Sequence, residues 1–203
     1  KVAQIARLVG FSRPATSKQQ GLSSKEAILT DAYFELVNPP TATVAPVASL
    51  DPTLDLASLP QVLTKLSDVG KLPRDVLAQR IPVRLRGVIT YADPEYRNGF
   101  LQQGDRAIYL DLTQNDVRAG QWVEVKGVTD RGGFAPQINE VTVRILGTTN
   151  LPTPHKVTLD DLADGALDSH WVEMQGVIRR AKIEWGRLYL NLTARKGKFQ
   201  AIV

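Results

Sequence analysis

Apolar and polar residues alternate with a period of two between residues 81 and 149, and this alternation predicts β-strands. The run "VRLRGVIT" (83–90) predicts the first strand, and "AGQWVEVKGVT" and "QINEVTVRILG" predict the fourth and fifth. Between them, "GFLQQ" and "AIYLDL" flank Gly104-Asp105-Arg106 and predict a hairpin. The residues that this pattern assigns to the core are Val83, Leu85, Ile89, Ile108, Leu110 and Leu112.

The segments before these strands have helical spacing. Residues 1–40 are predicted to be helical, because apolar residues recur every three to four positions and Ser23 with Glu26 forms a capping-box pattern. Residues 41–53 are rich in Pro, Ala and Thr and predict a linker. The predicted organisation is a helical segment with linker (1–55), a helical lead-in (56–81), a β unit (82–149) and a second unit (150–203).

A short pattern occurs three times, as "VRLRGVI" (83–89), "VEVKGVT" (123–129) and "VEMQGVI" (172–178). The first and third copies follow a helical lead-in and precede a turn and two alternating runs, which are "RLYLNL" and "KFQAIV" in the second unit. This second unit therefore repeats only three strands. Three strands leave an open edge, so we expect either that the chain is cut inside a domain or that something else completes the second unit.

Glycine inside a curved strand permits a sharp bend or a bulge, and here it falls in the first and fourth predicted strands. Five short antiparallel strands with this pattern predict an oligonucleotide/oligosaccharide-binding (OB) barrel. The expected fold is mainly β: a five-stranded OB-like barrel followed by the first three strands of a second OB-like unit, with helical N-terminal and lead-in segments.

Residues 56–203 resemble the OB-fold-like sensory region that precedes the membrane segments of some bacterial sensor histidine kinases and diguanylate cyclases. The resemblance depends on "IPVRLRGVITYADPEY", "GFLQQGDRAIYLDL", "VRAGQWVEVKGVTDRGGFAPQI" and "HWVEMQGVIR". It implies tandem OB modules, a periplasmic or extracellular location and membrane attachment only through a segment outside this chain. A cytoplasmic location stays open. Gln103 departs from the family, where an acidic residue is expected before the turn glycine.

Charge and composition narrow the function classes only slightly. The formal net charge is +4, yet residues 82–149 contain eight basic and eight acidic residues, so the predicted barrel is neutral. The chain contains no cysteine, which excludes disulfides, thiolate nucleophiles and cysteine metal sites. A neutral barrel is weak support for a polyanionic partner.

The predicted binding face of the barrel lies on strands two and three, between the loops 91–99 and 129–137. Aromatic rings and guanidinium groups there would combine stacking with hydrogen bonding. The candidate ligand-binding residues are Tyr91, Tyr96, Arg97, Tyr109, Arg131 and Phe134, with Arg84 and Arg86 on the polar side of strand one. The alternative is that the aromatic residues only pack the rim and the arginines form a solvated face.

Catalytic motifs are not recognisable in the sequence. His155 and His170 lie in no metal-binding spacing, and no nucleophile elbow or phosphate-binding glycine loop is present. We therefore expect a non-enzymatic chain without a cofactor or metal, and interpret "TLDDLADGALD" as a helix start rather than an acidic site.

Three functions follow from these observations. The preferred one is a sensory region of a bacterial signal-transduction protein that binds a small molecule or a protein partner. The second is an OB module that binds single-stranded nucleic acid, with basic clusters at residues 179–182 and 195–198. The third is a structural spacer or a secreted interaction protein.

Overall fold

The computed structural model describes residues 5–13, 28–36, 61–133, 135–162, 166–195 and 197–203. The chain divides into a central unit, Val44–Pro152, and a split unit made of Lys1–Thr43 and Thr153–Val203. The described elements are β1 (Ile5–Arg13), β2 (Ile28–Leu36), α1 (Leu66–Val69), α2 (Arg74–Leu77), β3 (Pro82–Asp93), β4 (Asn98–Gln103), β5 (Arg106–Asp111), β6 (Gln121–Asp130), β7 (Gln137–Thr148), β8 (His155–Lys156), α3 (Leu159–Leu162), β9 (Trp171–Glu184), β10 (Arg187–Ala194) and β11 (Gly197–Ile202). No helix in the described ranges has the length and apolar character needed to cross a membrane.

The central unit is a closed five-stranded barrel with the strand order β3-β4-β5-β7-β6. Its neighbouring strands are antiparallel except for β5 and β7, which are parallel. The predicted core is confirmed, since all six residues assigned to it are buried: Val83, Leu85, Ile89, Ile108, Leu110 and Leu112. The predicted hairpin is also confirmed, with Gly104 at a positive φ of 62° between β4 and β5.

Close strand approach explains the glycine of the first motif. A Cβ atom on Gly87 would lie 2.3 Å from the backbone oxygen of Gln102 on the neighbouring strand. Three residues further along β3, the pairing with β4 skips Thr90, which forms a bulge. Glycine is therefore required here by the backbone of β4 as well as by the curvature of the strand.

Within the predicted helical lead-in, the described residues 61–81 contain two single helical turns, α1 and α2, whose apolar residues contribute to the barrel core. Leu63 forms a parallel bridge with Val83 just before α1. The Gln103 side chain holds this lead-in, since its Oε1 accepts from Leu66 N–H (2.8 Å) and its Nε2 donates to the Arg86 oxygen (3.0 Å). A carboxylate cannot donate, so these contacts give a physical reason for an amide at this position.

The split unit repeats the lead-in and the three strands that follow it. β9, β10 and β11 form an antiparallel meander, and β8 runs parallel to β9. The predicted helix start is confirmed, because Asp161 Oδ2 accepts hydrogen bonds from both Thr158 N–H and Thr158 Oγ1, each at 2.7 Å. The core of this unit is formed by Leu162, Val172, Met174, Ile178, Leu190, Leu192, Phe199 and Ala201.

The helical prediction for residues 1–40 is wrong for the part that the structure describes. Residues 5–13 and 28–36 are the strands β1 and β2, whereas the capping-box residues lie outside the described residues. β1 pairs with β9 over seven residues, and β2 pairs with β11 over four. Interstrand hydrogen bonds with distant segments thus override the local helical spacing, which Gly10 and the aromatic pair Tyr33-Phe34 already weaken.

The edges that the sequence left open are therefore occupied by the N-terminal strands. Pairings run from β9 through β10, β11, β2 and β1 back to β9. β1 has the register of a fourth strand: Gly10 lies opposite Val172, as Gly127 on β6 lies opposite Val83 on β3. β2 differs from β7, because it runs parallel to β1 and antiparallel to β11.

Candidate ligand-binding face

Three aromatic side chains form a row across β3, β4 and β5 on the outer surface of the central barrel. The strand register places Phe100 opposite both Tyr91 and Tyr109. The ring of Phe100 is 6.1 Å from that of Tyr91 and 5.7 Å from that of Tyr109, in tilted and edge-to-face arrangements. Phe100 is only 2% exposed and lies next to Leu101, which points into the main core cluster of the barrel, and the two tyrosines are half-buried.

Arg97 lies at one end of this row, in the loop that connects β3 to β4. It follows the 3₁₀ turn Pro94–Tyr96 and has a positive φ of 57°, a left-handed conformation that is uncommon for a residue with a side chain. Its guanidinium makes a two-pronged ion pair with Asp111, with Nε donating to Oδ1 at 2.7 Å. These hydrogen bonds and the charge of Asp111 raise the pKa of Arg97.

The loop is also tied to the aromatic row. Tyr109 Oη donates to the backbone oxygen of Arg97 at 2.7 Å, and Tyr91 Oη donates to Asp93 Oδ2 at 3.1 Å. Tyr96 has 45% of its surface exposed beside them. The structure thus brings together four of the predicted site residues: Tyr91, Tyr96, Arg97 and Tyr109.

Arg84 and Arg86 form a different cluster, centred on Glu124 of β6. Glu124 is 2% exposed and accepts hydrogen bonds from Arg84 (3.1 Å), Arg86 (2.9 Å) and Arg144 of β7 (3.2 Å). The hydrogen bonds from Arg84 and then Arg86 lower the pKa of Glu124 from 4.5 to about 2. Both arginines predicted as ligand-binding residues therefore hold a buried carboxylate.

The connection between β6 and β7 is fixed to the lead-in. Arg74 of α2 donates to the backbone oxygen of Gly132 at 3.0 Å, and Asp130 accepts from Gly132 N–H at 2.7 Å. Arg131 is exposed in this loop. Phe134, the remaining predicted site residue, lies outside the described residues.

Two residues of this face were missed in the sequence. Phe100 is the centre of the aromatic row, and Gln102 lies two positions further along β4 on the same side. Gln102 is 5% exposed, and its buried Oε1 has no hydrogen-bond partner among the described residues. The sequence contained a signal for Phe100. The two-residue turn fixes the register of the β4–β5 hairpin, and counting back from the turn places Phe100 opposite Tyr109.

The split unit has the same three positions without aromatic residues. Matching the motif glycines Gly87 and Gly176 and the bulges at Thr90 and Arg179 aligns the two units residue by residue. The positions of the aromatic row are then occupied in the split unit by Arg180, Asn191 and Gln200, where Gln200 donates to Asn191 at 3.3 Å. The aromatic row is thus specific to the central unit.

This arrangement supplies stacking surfaces and a hydrogen-bond acceptor rather than a reactive group. Among the residues that the structure describes, no three His, Asp or Glu side chains are grouped so that they would hold a metal ion. No protein-family model, curated protein or solved structure matches the chain.

Proposed function

We propose that the central unit is an OB-type barrel and that the chain is a non-enzymatic ligand- or partner-binding sensory region of a bacterial signalling protein. The observation that carries the proposal is the aromatic row Tyr91, Phe100 and Tyr109 on the outer face of β3, β4 and β5. OB barrels bind their ligands mainly on the corresponding strands, between two loops. Here the loop that contains Arg97 is fixed beside the row by Tyr109.

The chemistry of this face favours an uncharged ligand with a flat apolar surface and a hydrogen-bond donor. The rings of Tyr91 and Tyr109 provide half-exposed stacking surfaces, and the buried Oε1 of Gln102 provides an acceptor. A ligand donor that reaches this oxygen would satisfy a group whose burial is otherwise unfavourable. Aromatic side chains of a peptide and the faces of sugar rings both have these properties.

Single-stranded nucleic acid is the second candidate, since bases also stack on aromatic rows. Arg97, the guanidinium beside the row, is already paired with Asp111. In the separate cluster on β3, β6 and β7, Arg84, Arg86 and Arg144 share the carboxylate of Glu124, which cancels one of their three charges. A phosphate backbone would have to break these pairs to gain the usual counterion-release energy. The ion pairs therefore favour the uncharged ligand.

Binding is tested on the ¹⁵N-labelled full chain by two-dimensional NMR. The probes are a mixture of random hexapeptides, a mixture of cello- and chito-oligosaccharides, and a fluorescent ten-nucleotide oligothymidylate at about 50 and 200 mM salt. We expect a peptide or a sugar to shift the amide signals of the residues around Tyr91, Phe100 and Tyr109. Oligothymidylate binding at micromolar affinity that falls steeply with salt would instead establish the nucleic-acid function.

The matched variants replace stacking rings while keeping apolar volume. Tyr91→Leu together with Tyr109→Leu is expected to weaken binding at least tenfold. Tyr189→Leu, which changes a half-buried tyrosine of the split unit, is expected to leave binding unchanged. Equal affinity in both variants would exclude the aromatic row as the binding site.

A further inference from the structure

The split unit contains a cavity of about 470 Å³ beside its lead-in. It lies between the segment β8–α3, the first half of β9 and the end of β10. Its walls include Lys156, Leu159, Glu173, Gln175, Ala194 and Arg195. A volume of this size is typical of sites that bind small molecules.

In the central unit, the position that corresponds to Ala194 at the wall of this cavity is occupied by the side chain of Gln103. The residue-by-residue match of the two units pairs Gln103 with Ala194 and Arg86 with Gln175. The parallel bridges Leu63–Val83 and His155–Val172 likewise pair Thr64 with Lys156. The cavity is lined by Ala194, the equivalent of Gln103, and by Lys156 and Gln175, the equivalents of the two residues whose backbone oxygens accept from Gln103 Nε2.

The Gln103 carboxamide makes three hydrogen bonds in the central unit. Its Nε2 donates to the backbone oxygens of Arg86 (3.0 Å) and Thr64 (3.4 Å), and its Oε1 accepts from Leu66 N–H (2.8 Å). The methyl group of Ala194 cannot make any of these bonds. The split unit has kept the strand and lead-in segments that surround the amide but has lost the amide itself. Thr158 N–H, at the position of Leu66 N–H, donates to Asp161 Oδ2 instead, so the match leaves two backbone oxygens as the groups that a ligand amide would meet.

We propose that this cavity is a binding site for a ligand that carries a primary carboxamide. The amide nitrogen would donate to the backbone oxygens of Gln175 and Lys156, as Gln103 Nε2 does to the corresponding oxygens of the central unit. The site lies in the split unit and is independent of the aromatic row.

The side chains around the cavity support an uncharged ligand. Lys156 and Arg195 are balanced by Asp160 and Glu173, so the walls contain two charges of each sign. A carboxylate, which has nearly the same shape as a carboxamide, would meet backbone oxygens without a proton to donate. The site is therefore expected to discriminate amide from acid, because unpaired buried groups penalise the wrong ligand.

The test titrates the ¹⁵N-labelled full chain with propionamide, and separately with propionate at matched ionic strength. We expect saturable shifts of the backbone amides of Lys156, Gln175 and Ala194 with propionamide, at concentrations at least tenfold lower than with propionate. A third titration uses a blocked dipeptide containing glutamine. Tighter binding of the dipeptide than of propionamide would identify a polypeptide side chain as the source, and the reverse would identify a free small amide.

Two variants keep the proposal falsifiable. Ala194→Gln supplies the amide internally and is expected to abolish the propionamide shifts while raising the unfolding midpoint of the split unit. Ala194→Met has a similar length without hydrogen-bonding groups and is expected to raise the midpoint less. Equal shifts with propionamide and propionate, or full propionamide binding in Ala194→Gln, would overturn the carboxamide site.

Discussion

The central and split units share the backbone features of their first three strands and differ in the side chains on the outer face of those strands. Both have a parallel bridge before the first strand, a glycine at the same position of that strand and a bulge three residues later. The row across the three strands is aromatic in one unit and polar in the other, with Tyr91, Phe100 and Tyr109 replaced by Arg180, Asn191 and Gln200. The shared residues therefore explain folding, and the differing residues are where binding specificity is expected.

The two units also differ in the sign of the charges between their first and fourth strands. In the central unit, Arg84 and Arg86 on β3 surround Glu124 on β6. In the split unit, the register places Glu173 where Arg84 is and Arg7 where Glu124 is. At these register positions the two units therefore carry residues of opposite charge type.

The largest expected effect tests the pairing of β1 with β9. The chain has no cysteine, so Ile5→Cys with Val177→Cys introduces a single possible disulfide at two residues that lie opposite each other. We expect it to form on oxidation and to stabilise the split unit by about 4 kcal/mol, because it closes a very long loop. Mass spectrometry of the linked peptides and urea unfolding with and without reductant measure both effects.

The matched control places the second cysteine at the equivalent position of the central unit. Ile5→Cys with Val88→Cys is expected to give no intramolecular disulfide, since β6 occupies that edge of β3. Equal cross-linking to positions 88 and 177 would contradict the assignment of β1 to the split unit.

The next prediction compares substitutions of Phe100 and Asn191, the central residues of the aromatic and the polar row. Phe100→Ala is expected to destabilise the central unit by about 3 kcal/mol, because a large buried ring is lost. Asn191→Ala is expected to cost only about 1 kcal/mol, since it removes a small polar side chain and one hydrogen bond, which Gln200 Nε2 donates at 3.3 Å. Hydrogen exchange resolved by residue separates the two units. Similar losses from both variants would remove the distinction between the rows.

Replacing Gly87 by alanine is expected to destabilise the protein more than replacing Gly176, the motif glycine at the same position in the split unit. A Cβ on Gly87 meets the backbone oxygen of Gln102 at 2.3 Å, whereas a Cβ on Gly176 meets the ring of Phe199 at 2.8 Å. Because a ring can shift more easily than a strand backbone, we expect about 2 kcal/mol for Gly87→Ala and about 1 kcal/mol for Gly176→Ala. Gly147→Ala, with no heavy atom within 4 Å of the new Cβ, is the control for thermal unfolding.

The smallest effect concerns acid stability. The folded pKa of Glu124 is about 2, below its ordinary value of 4.5, so its contribution to stability is present above about pH 4.5 and is lost as the pH falls towards 2. The urea midpoint of the central unit should therefore decline more steeply over this range in the natural chain than in Glu124→Gln. If the urea midpoints of the two proteins declined equally between pH 4.5 and pH 2, protonation of Glu124 would not be coupled to folding.

The local patterns that were predictable are those decided within one strand or one hairpin. Alternation identified the core residues of β3 and β5, and Thr158 with Asp161 marked the start of α3. The aromatic site was only partly predicted: Tyr91 and Tyr109 were recognised, whereas Phe100 between them was not. The pairing of Arg84 and Arg86 with Glu124 could not be predicted from local patterns, because Glu124 lies about forty positions away on another strand.

The sequence by itself determined the strands of the central barrel and the repeat of its first three strands, because alternation, turn glycines and the V-x-x-x-G motif are local. Only the tertiary structure decided that residues 5–13 are a strand and that they pair with β9. Their local spacing is compatible with a helix, and the pairing that places this strand in the split unit is with residues 160 to 172 positions away. The replacement of Gln103 by Ala194 is visible in the sequence, but the cavity that it leaves requires the backbone of three separate segments.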